Sequence, residues 1–257
     1  AVFDGVGDYI SLPYHVADME AMTFSAWVKV SSTTAWQRIF DFGRSHRDYL
    51  FLTNSNGSRL RFEICKDGIK QGLDATKDLS ANMWTHVVVS IGDSGTKIYL
   101  DGKLNASTTD ITLRPSDIAP NVCYLGRSFF DQDPLFAGVM GDVCLYNYDL
   151  KEEEVQKLYY HDQIASAEEL LEKPMYSGRR NTLQTAIEEV QTAIEEGDET
   201  VIKQKLRRLK TAMTGARTSI NYYAPLADVL EWAEEMATLY PQKDEKAKTE
   251  YRSQYDA

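Results

Sequence analysis

The chain is poor in cysteine, in histidine and in positive charge, and it has no long apolar run. Its three cysteines, at 65, 123 and 144 of 257 residues, are odd in number and widely spaced. That suits neither a disulfide framework nor a zinc site. Each lies in a strand-like run such as Leu60-Arg-Phe-Glu-Ile-Cys65, so buried free thiols are expected, free Cys packing as a small hydrophobe. One pair bridges only if two of those strands are neighbours. No stretch approaches the ~20 apolar residues that cross a bilayer. The four histidines, 15, 46, 86 and 161, lack a Ser, Cys or metal partner at any suggestive spacing. Twenty-eight basic residues face 39 acidic ones for a net charge of −11, divided as −6 over 1–160 and −5 over 161–257. With no basic stripe to neutralise phosphates, nucleic acid is excluded as a partner. The chain opens Ala1-Val-Phe-Asp-Gly5, with neither a basic n-region nor an apolar h-region. No signal peptide is therefore present, which leaves export open.

What the sequence does carry is β structure followed by helix. The segment Trp84-Thr-His-Val-Val-Val-Ser-Ile-Gly-Asp-Ser-Gly-Thr-Lys-Ile-Tyr-Leu-Asp-Gly-Lys103 places two Val/Ile/Tyr-rich runs around Gly92-Asp-Ser-Gly95, which reads as a β-hairpin. Period-two alternation broken by Gly, Asn, Asp and Ser continues to about residue 148. It gives strand candidates at 9–12, 23–30, 38–43, 49–53, 59–65, 84–91, 97–100, 122–125 and 138–146. A long loop or an edge strand is expected in the seventeen or so residues after Cys65. Many short strands at this spacing predict an all-β antiparallel two-sheet sandwich.

After Asp149 the period changes. Leu150, Val155, Leu158 and Tyr159 share one face of a short helix that opens with acids, as an amphipathic helix does. Leu183, Ile187, Val190 and Ile194 make a second helical stripe, which Gly197-Asp198 ends before capping a third with Val201, Leu206, Leu209 and Met213. Ala224-Pro225 marks a further start, and the charged tail 242–257 suits a fourth helix. The predicted organisation is a β-sandwich over 1–160 and an α-helical bundle over 161–257, the helices antiparallel and joined by short turns. A faint repeat, 169–187 against 227–250, suggests that the helical part is truncated at its C-terminal end. Trp232 and Tyr222-Tyr223 read as core at helical spacing, the alternative being a partner patch.

Several landmarks then coincide: Phe3-Asp-Gly-Val-Gly-Asp-Tyr9, Met22-Thr-Phe-Ser-Ala-Trp27, Trp84-Thr-His86, Tyr99-Leu-Asp-Gly102, Tyr124-Leu-Gly-Arg127, Phe136-Ala-Gly-Val-Met-Gly-Asp-Val143 and Leu145-Tyr-Asn-Tyr-Asp-Leu-Lys-Glu152. In order and spacing residues 1–160 resemble a laminin-G-like, concanavalin-type lectin/glucanase jelly roll of the kind attached to secreted bacterial polysaccharide-degrading enzymes. The helical half more loosely resembles the FIVAR-type modules of bacterial surface glycosidases. The resemblance implies an extracellular, cell-surface or periplasmic accessory module, a polysaccharide or oligosaccharide ligand and a neighbouring catalytic domain. It also implies a calcium ion where the first and last strands meet, with Asp4 and Asp142 beside Gly5 and Gly141 as hard oxygen ligands. The other reading of those two aspartates is that they satisfy turn amides.

Hydrolases of this shape set two carboxylates across the scissile bond, and laminarinase-like relatives carry them in a Glu-x-Asp-x-x-Glu run that this chain lacks. Glu63, the one glutamate inside a confident strand, reads as solvated or salt-bridged, and His86 as structural. Sugar binding needs aromatic faces and hydrogen-bonding groups at the rim of a groove. Two loops offer them: Gly43-Arg-Ser-His-Arg-Asp-Tyr49, with Arg44, Arg47 and Tyr49, and Arg127-Ser-Phe-Phe-Asp-Gln-Asp133, with Arg127, Phe129, Phe130 and Asp131. Trp36 joins them at a loop tip. The expected function is a non-catalytic carbohydrate-binding module, against a structural spacer or a protein-adhesion module without a sugar ligand.

Overall fold

A computed structural model of the protein describes residues 1–239. The chain divides into two compact units, Ala1–Tyr160 and a second that begins at His161.

The first unit pairs twelve strands into two six-stranded antiparallel sheets. One sheet runs β1 (Val2–Asp4), β12 (Ala137–Tyr146), β3 (Met22–Val30), β8 (Thr85–Gly92), β9 (Gly95–Leu100) and β10 (Lys103–Thr108). The other runs β2 (Ile10–Leu12), β11 (Val122–Leu125), β4 (Arg38–Ser45), β5 (Asp48–Thr53), β6 (Arg61–Lys66) and β7 (Ile69–Asp74). A one-turn helix, α1 (Pro115–Ile118), lies between β10 and β11. Alternation fixes which side chains meet, since successive residues of a strand face opposite ways. Phe40, Phe42, Leu50, Leu52, Phe62 and Ile64 of the second sheet face Phe24, Ala26, Val28, Val87, Val89 and Ile98 of the first, all with no exposed surface. Phe24 and Phe40 join the sheets with ring centroids 4.6 Å apart.

The predicted hairpin is β8 and β9, paired from Val87↔Leu100 to Gly92↔Gly95. The weak stretch after Cys65 is β7, an edge strand, as one of the two expected alternatives had it. The short edge strands β1 and β10 went unpredicted, because an edge strand half in water needs no strict alternation. Cys65 and Cys123 are buried free thiols, whereas Cys144 is exposed. The reason is a register shift between Gly141 and Cys144 of β12, which turns Cys144 out of the core.

In the helical part, α2 (Glu152–Leu171) continues well past the short helix expected and contains the unit boundary. α3 (Ser177–Glu196) ends at Gly197 with φ 77°. The Asp198 carboxylate then accepts the Thr200 and Val201 amides at 2.8 and 3.2 Å, capping the next helix as expected. The start expected at Ala224-Pro225 is overturned: α4 runs unbroken from Glu199 to Leu239 through Pro225. Proline fits the first turn of a helix and also, at a cost, the interior; here Ala224, Leu226 and Ala227 favour continuation. Tyr222 and Trp232, read as core, are 75% and 61% exposed. The charged tail 242–257, and residues 246–250 of the suggested repeat, lie outside the described residues.

Candidate functional site

Each sheet of the sandwich has a second face, and the two are treated differently. The outer face of the first sheet is closed by the start of α2. Leu150 and Val155 pack on Val88 and Tyr99, and the Tyr159 ring stacks on Trp27 at 5.7 Å. His86 lies in the same layer, 2.9 Å from the Ser25 hydroxyl, its pKa lowered to about 4 by burial. It is a neutral structural histidine, as the sequence suggested.

The second sheet turns a polar and aromatic face outward. Its cross-strand rows are Ser11, Tyr124, Asp41, Phe51, Glu63 and Gly72, and, one pleat along, Val122, Gly43, Tyr49, Cys65 and Lys70. The loop 126–136 that joins β11 to β12 crosses this face and is fastened to it by Asp41. One carboxylate oxygen, Oδ2, accepts the Arg38 Nε–H at 3.3 Å, the Ser128 hydroxyl at 3.3 Å and the Phe129 amide at 3.1 Å. Arg38 also donates through Nη2 to Asp133 Oδ2 at 2.7 Å and through Nη1 to the Trp36 carbonyl at 2.8 Å. Its guanidinium lies 4.0 Å from the Phe51 ring centroid. Arg38 and Asp41 are both buried. Burial, only partly offset by Arg38, pushes the Asp41 carboxyl up to about 7.

Over this latch the loop lays its two phenylalanines. Phe130 packs edge-on to Tyr49 at 5.5 Å and against His46 at 5.0 Å. The Phe129 carbonyl accepts a hydrogen bond from His46 Nε2 at 2.7 Å, which fixes the proton on that nitrogen because a carbonyl can only accept. The Phe129 ring lies 5.8 Å from Tyr124. Tyr124 meets Tyr9 edge-on at 5.5 Å, and the Arg127 guanidinium sits 4.7 Å from the Tyr9 ring and 5.3 Å from the Tyr124 ring. Tyr9 is 43% exposed, and Tyr124, Arg127 and Phe129 are half-buried.

The expected residues thus separate. Arg127, Phe129 and Phe130 share this face, and Tyr49 lies beneath them. Tyr49 offers no surface to a ligand: its hydroxyl donates to Glu63 at 2.8 Å, and burial together with that bond raises its pKa. Trp36 is joined to the latch through Arg38 and is 38% exposed, with a left-handed backbone at φ 68°. Arg44, Arg47 and Asp131 are exposed, and Arg47 is bonded to the Asp67 carbonyl at 2.5 Å in the neighbouring turn. Glu63 is salt-bridged rather than solvated, held by Arg61 at 2.9 Å and Lys70 at 3.5 Å. Tyr9, Tyr124, His46, Arg38 and Asp41 were not singled out as site residues. The available signal was Arg38 and Asp41 inside an otherwise apolar strand, where an unpaired charge is costly.

Asp4 and Asp142 do not meet. β1 pairs Asp4 with Ala137 and Val2 with Val139, so Asp142 lies five residues along β12, about 16 Å at 3.3 Å per residue. Asp4 Oδ1 instead accepts the amides of Val6, Gly7 and Asp8 at 2.8, 2.9 and 3.2 Å. Those bonds, Gly7 foremost, hold its pKa down. Among the described residues no group of three His, Cys, Asp or Glu side chains is placed to hold a metal. The two aspartates do not fit a shared calcium ion, and the turn-amide reading accounts for Asp4. Asp4→Ala is expected to speed hydrogen exchange at Val6 and Gly7 while Asp4→Asn, which keeps the acceptor, does not. Amide exchange followed by NMR checks this. Because the folded pKa is lowered, that part of the turn's stability is present above pH 3.8 and is lost as pH falls through the lower folded value.

Among the described residues no helix is long and apolar enough to cross a membrane. No match to a curated protein sequence is found. Among solved structures the chain is similar to domain 4 of AbnA, an extracellular GH43 arabinanase from Geobacillus stearothermophilus in complex with arabinotriose. That likeness has 20% identity over 62% of this chain and 75% of that one, with a TM-score of 0.52. The chain is also similar to the CBM40 of the Ruminococcus gnavus IT-sialidase bound to sialyllactose, at 18% identity over 60% and 97% of the two chains and a TM-score of 0.49. A native heptameric pentraxin from Limulus polyphemus matches at 13% identity, 62% and 80% coverage and a TM-score of 0.47. The sequence profile of the concanavalin A-like lectin/glucanases superfamily matches residues 4–156, more than half of the chain, and the protein belongs to that superfamily.

Proposed function

We propose that residues 1–160 are a carbohydrate-binding module whose ligand lies on the outer face of the second sheet, against Tyr9, Tyr124, Arg127 and Phe129. The observation that carries this reading is the cluster itself: three aromatic rings and one guanidinium brought to the same face, with Tyr9 open to solvent. A sugar offers an apolar ring face and a rim of hydroxyls. Such a cluster answers both, aromatic rings taking the face and Arg N–H groups the oxygens. The arabinotriose complex of the similar arabinanase domain supports the choice of ligand class. We read the module as an accessory part of an exported polysaccharide-degrading protein, with the helices as a spacer or docking element.

A glycan array with the full chain tests the reading, followed by titration calorimetry on the best ligand. Tyr9→Ala is expected to weaken binding about tenfold, the equivalent of one aromatic contact of roughly 1.4 kcal/mol, while Trp84→Ala, an exposed tryptophan at the start of β8, leaves it unchanged. Silence across all glycans would favour the spacer reading instead.

A further inference from the structure

We infer that the Arg127 site selects sugars that carry a carboxylate, an inference that rests on the carbohydrate-binding reading above. Arg127 is half-buried and lies within cation–π reach of two rings, Tyr9 at 4.7 Å and Tyr124 at 5.3 Å. Yet among the described residues it has no hydrogen bond and no ion pair. That distinguishes it from Arg38, Arg61 and Arg114, whose guanidinium groups all meet carboxylates. The neighbouring acids are engaged elsewhere or stand apart. Asp8 accepts the Asp4 amide at 3.0 Å, Asp41 and Asp133 are taken by Arg38 and Ser128, and Asp131 is exposed and forms no hydrogen bond or ion pair with Arg127.

The two rings pack against the guanidinium at 4.7 and 5.3 Å, and among the described residues its N–H edges have no acceptor. Those edges form a planar fork whose spacing matches a carboxylate, so the pairing is bidentate and charge-assisted. Side chains already fixed by packing lose little freedom on binding. A sugar acid bound there sets its carboxylate on Arg127 and its ring against Tyr9, which supplies the exposed aromatic face. A neutral sugar of the same shape makes the second contact and offers Arg127 only uncharged hydroxyl oxygens in place of the first.

Calorimetry with the full chain, using matched pairs of probes, tests this. Oligogalacturonate is set against oligogalactose for an acid within a chain, and sialyllactose against lactose for an acid at a chain end. In each pair that binds, the acid is expected to be favoured by about 10- to 100-fold, the range for a hydrogen bond to a charged group. The preference is expected to shrink as ionic strength rises. Arg127→Ala should abolish it, weakening the acid probe about 10- to 100-fold more than the neutral one, which loses only uncharged hydrogen bonds. Arg127→Lys, which keeps the charge and the aromatic contact but not the fork, should retain only part of it. Equal binding of acid and neutral probes to the native chain overturns the inference and leaves the carbohydrate reading standing. So does an Arg127→Ala variant, folded by its near-ultraviolet dichroism, that loses both probes equally. Binding of neither class overturns both.

Discussion

Arg38→Leu is expected to destabilise the protein by about 3–5 kcal/mol at pH 8, the cost of removing one partner from a buried ion pair. Urea unfolding followed by tryptophan fluorescence reads it. Arg38 is 2% exposed and Asp41 not at all. Without the guanidinium, the Asp41 carboxylate keeps only the Ser128 hydroxyl and the Phe129 amide, while its other oxygen already lacks a partner. Asp133 loses the same cation. The effect is pH-dependent, and its sign follows from the raised pKa. Between the ordinary value of 3.8 and the folded value of about 7, the folded chain holds a proton that the unfolded chain has released. The contribution of Asp41 to stability is therefore greatest below that window and declines as pH rises through about 7. At pH 5 Asp41 enters the core neutral, and the Arg38→Leu penalty is expected to fall well below its value at pH 8. A penalty that is the same at both pH values would show that Asp41 charge does not govern the latch. The functional consequence is local: the latch holds Ser128 and Phe129, so loss of Arg38 should also expose the 126–136 backbone to hydrogen exchange ahead of global unfolding.

Gly138→Ala is the second large effect, expected at about 3 kcal/mol or more. Two causes add. The backbone there has φ 154°, and a Cβ built on it would lie 2.3 Å from the Lys29 carbonyl oxygen, with the Phe136 ring at 3.0 Å. A strained backbone position costs of order 1–3 kcal/mol and overpacking a similar amount. The Lys29 carbonyl is backbone of the neighbouring strand and has no room to withdraw, since β12 and β3 are paired on both sides of this point. Gly141→Ala supplies the control on the same strand: its φ is not left-handed and its Cβ would meet nothing within 4 Å, so its effect should stay within about 0.5 kcal/mol. Comparable losses at the two positions would show that the close approach does not limit packing. Gly138 also stands at the end of the loop that carries Arg127 and Phe129. At the loop's other end Gly126, at φ 81°, makes room for the Phe3 ring, and the Phe136 amide closes onto its carbonyl at 2.9 Å. The loop is thus gripped at both ends as well as at Asp41, which gives its side chains fixed positions rather than a range of them.

Much of this was legible in the residues. The alternation of Thr23-Phe-Ser-Ala-Trp-Val-Lys-Val30 gives β3 its two faces, and the Gly92–Gly95 turn gives the β8–β9 hairpin. The switch of period after Asp149 marks where helix begins. Arg127 and Phe129 could be proposed because two adjacent phenylalanines beside charges do not fit a strand interior. The partners that make them a site could not. Tyr9 immediately precedes β2 and Tyr124 lies in β11, and they meet only because β2 and β11 are neighbours in the second sheet, with Tyr124 opposite Ser11. Asp4 and Asp142 failed for the same reason in reverse. They belong to paired strands, yet a register fixed by Asp4↔Ala137 holds them five residues apart.

By itself the sequence determined the local periods and turns, and through them the class of fold, because alternation and turn chemistry act within a few residues of one another. Its landmarks in order pointed to the lectin/glucanase jelly roll, which the profile match over 4–156 shows. Only the tertiary structure decided which outer face stays available. Tyr159 and Val155 close one sheet, and the Asp41 latch fixes on the other a loop whose Arg127 packs on two tyrosines and, among the described residues, pairs with no anion. Most of those contacts join residues far apart in the chain, such as Asp41 with Phe129, Trp27 with Tyr159 and Tyr9 with Arg127, and pairing and packing at that range are set by strand register and sheet order, which no local pattern encodes.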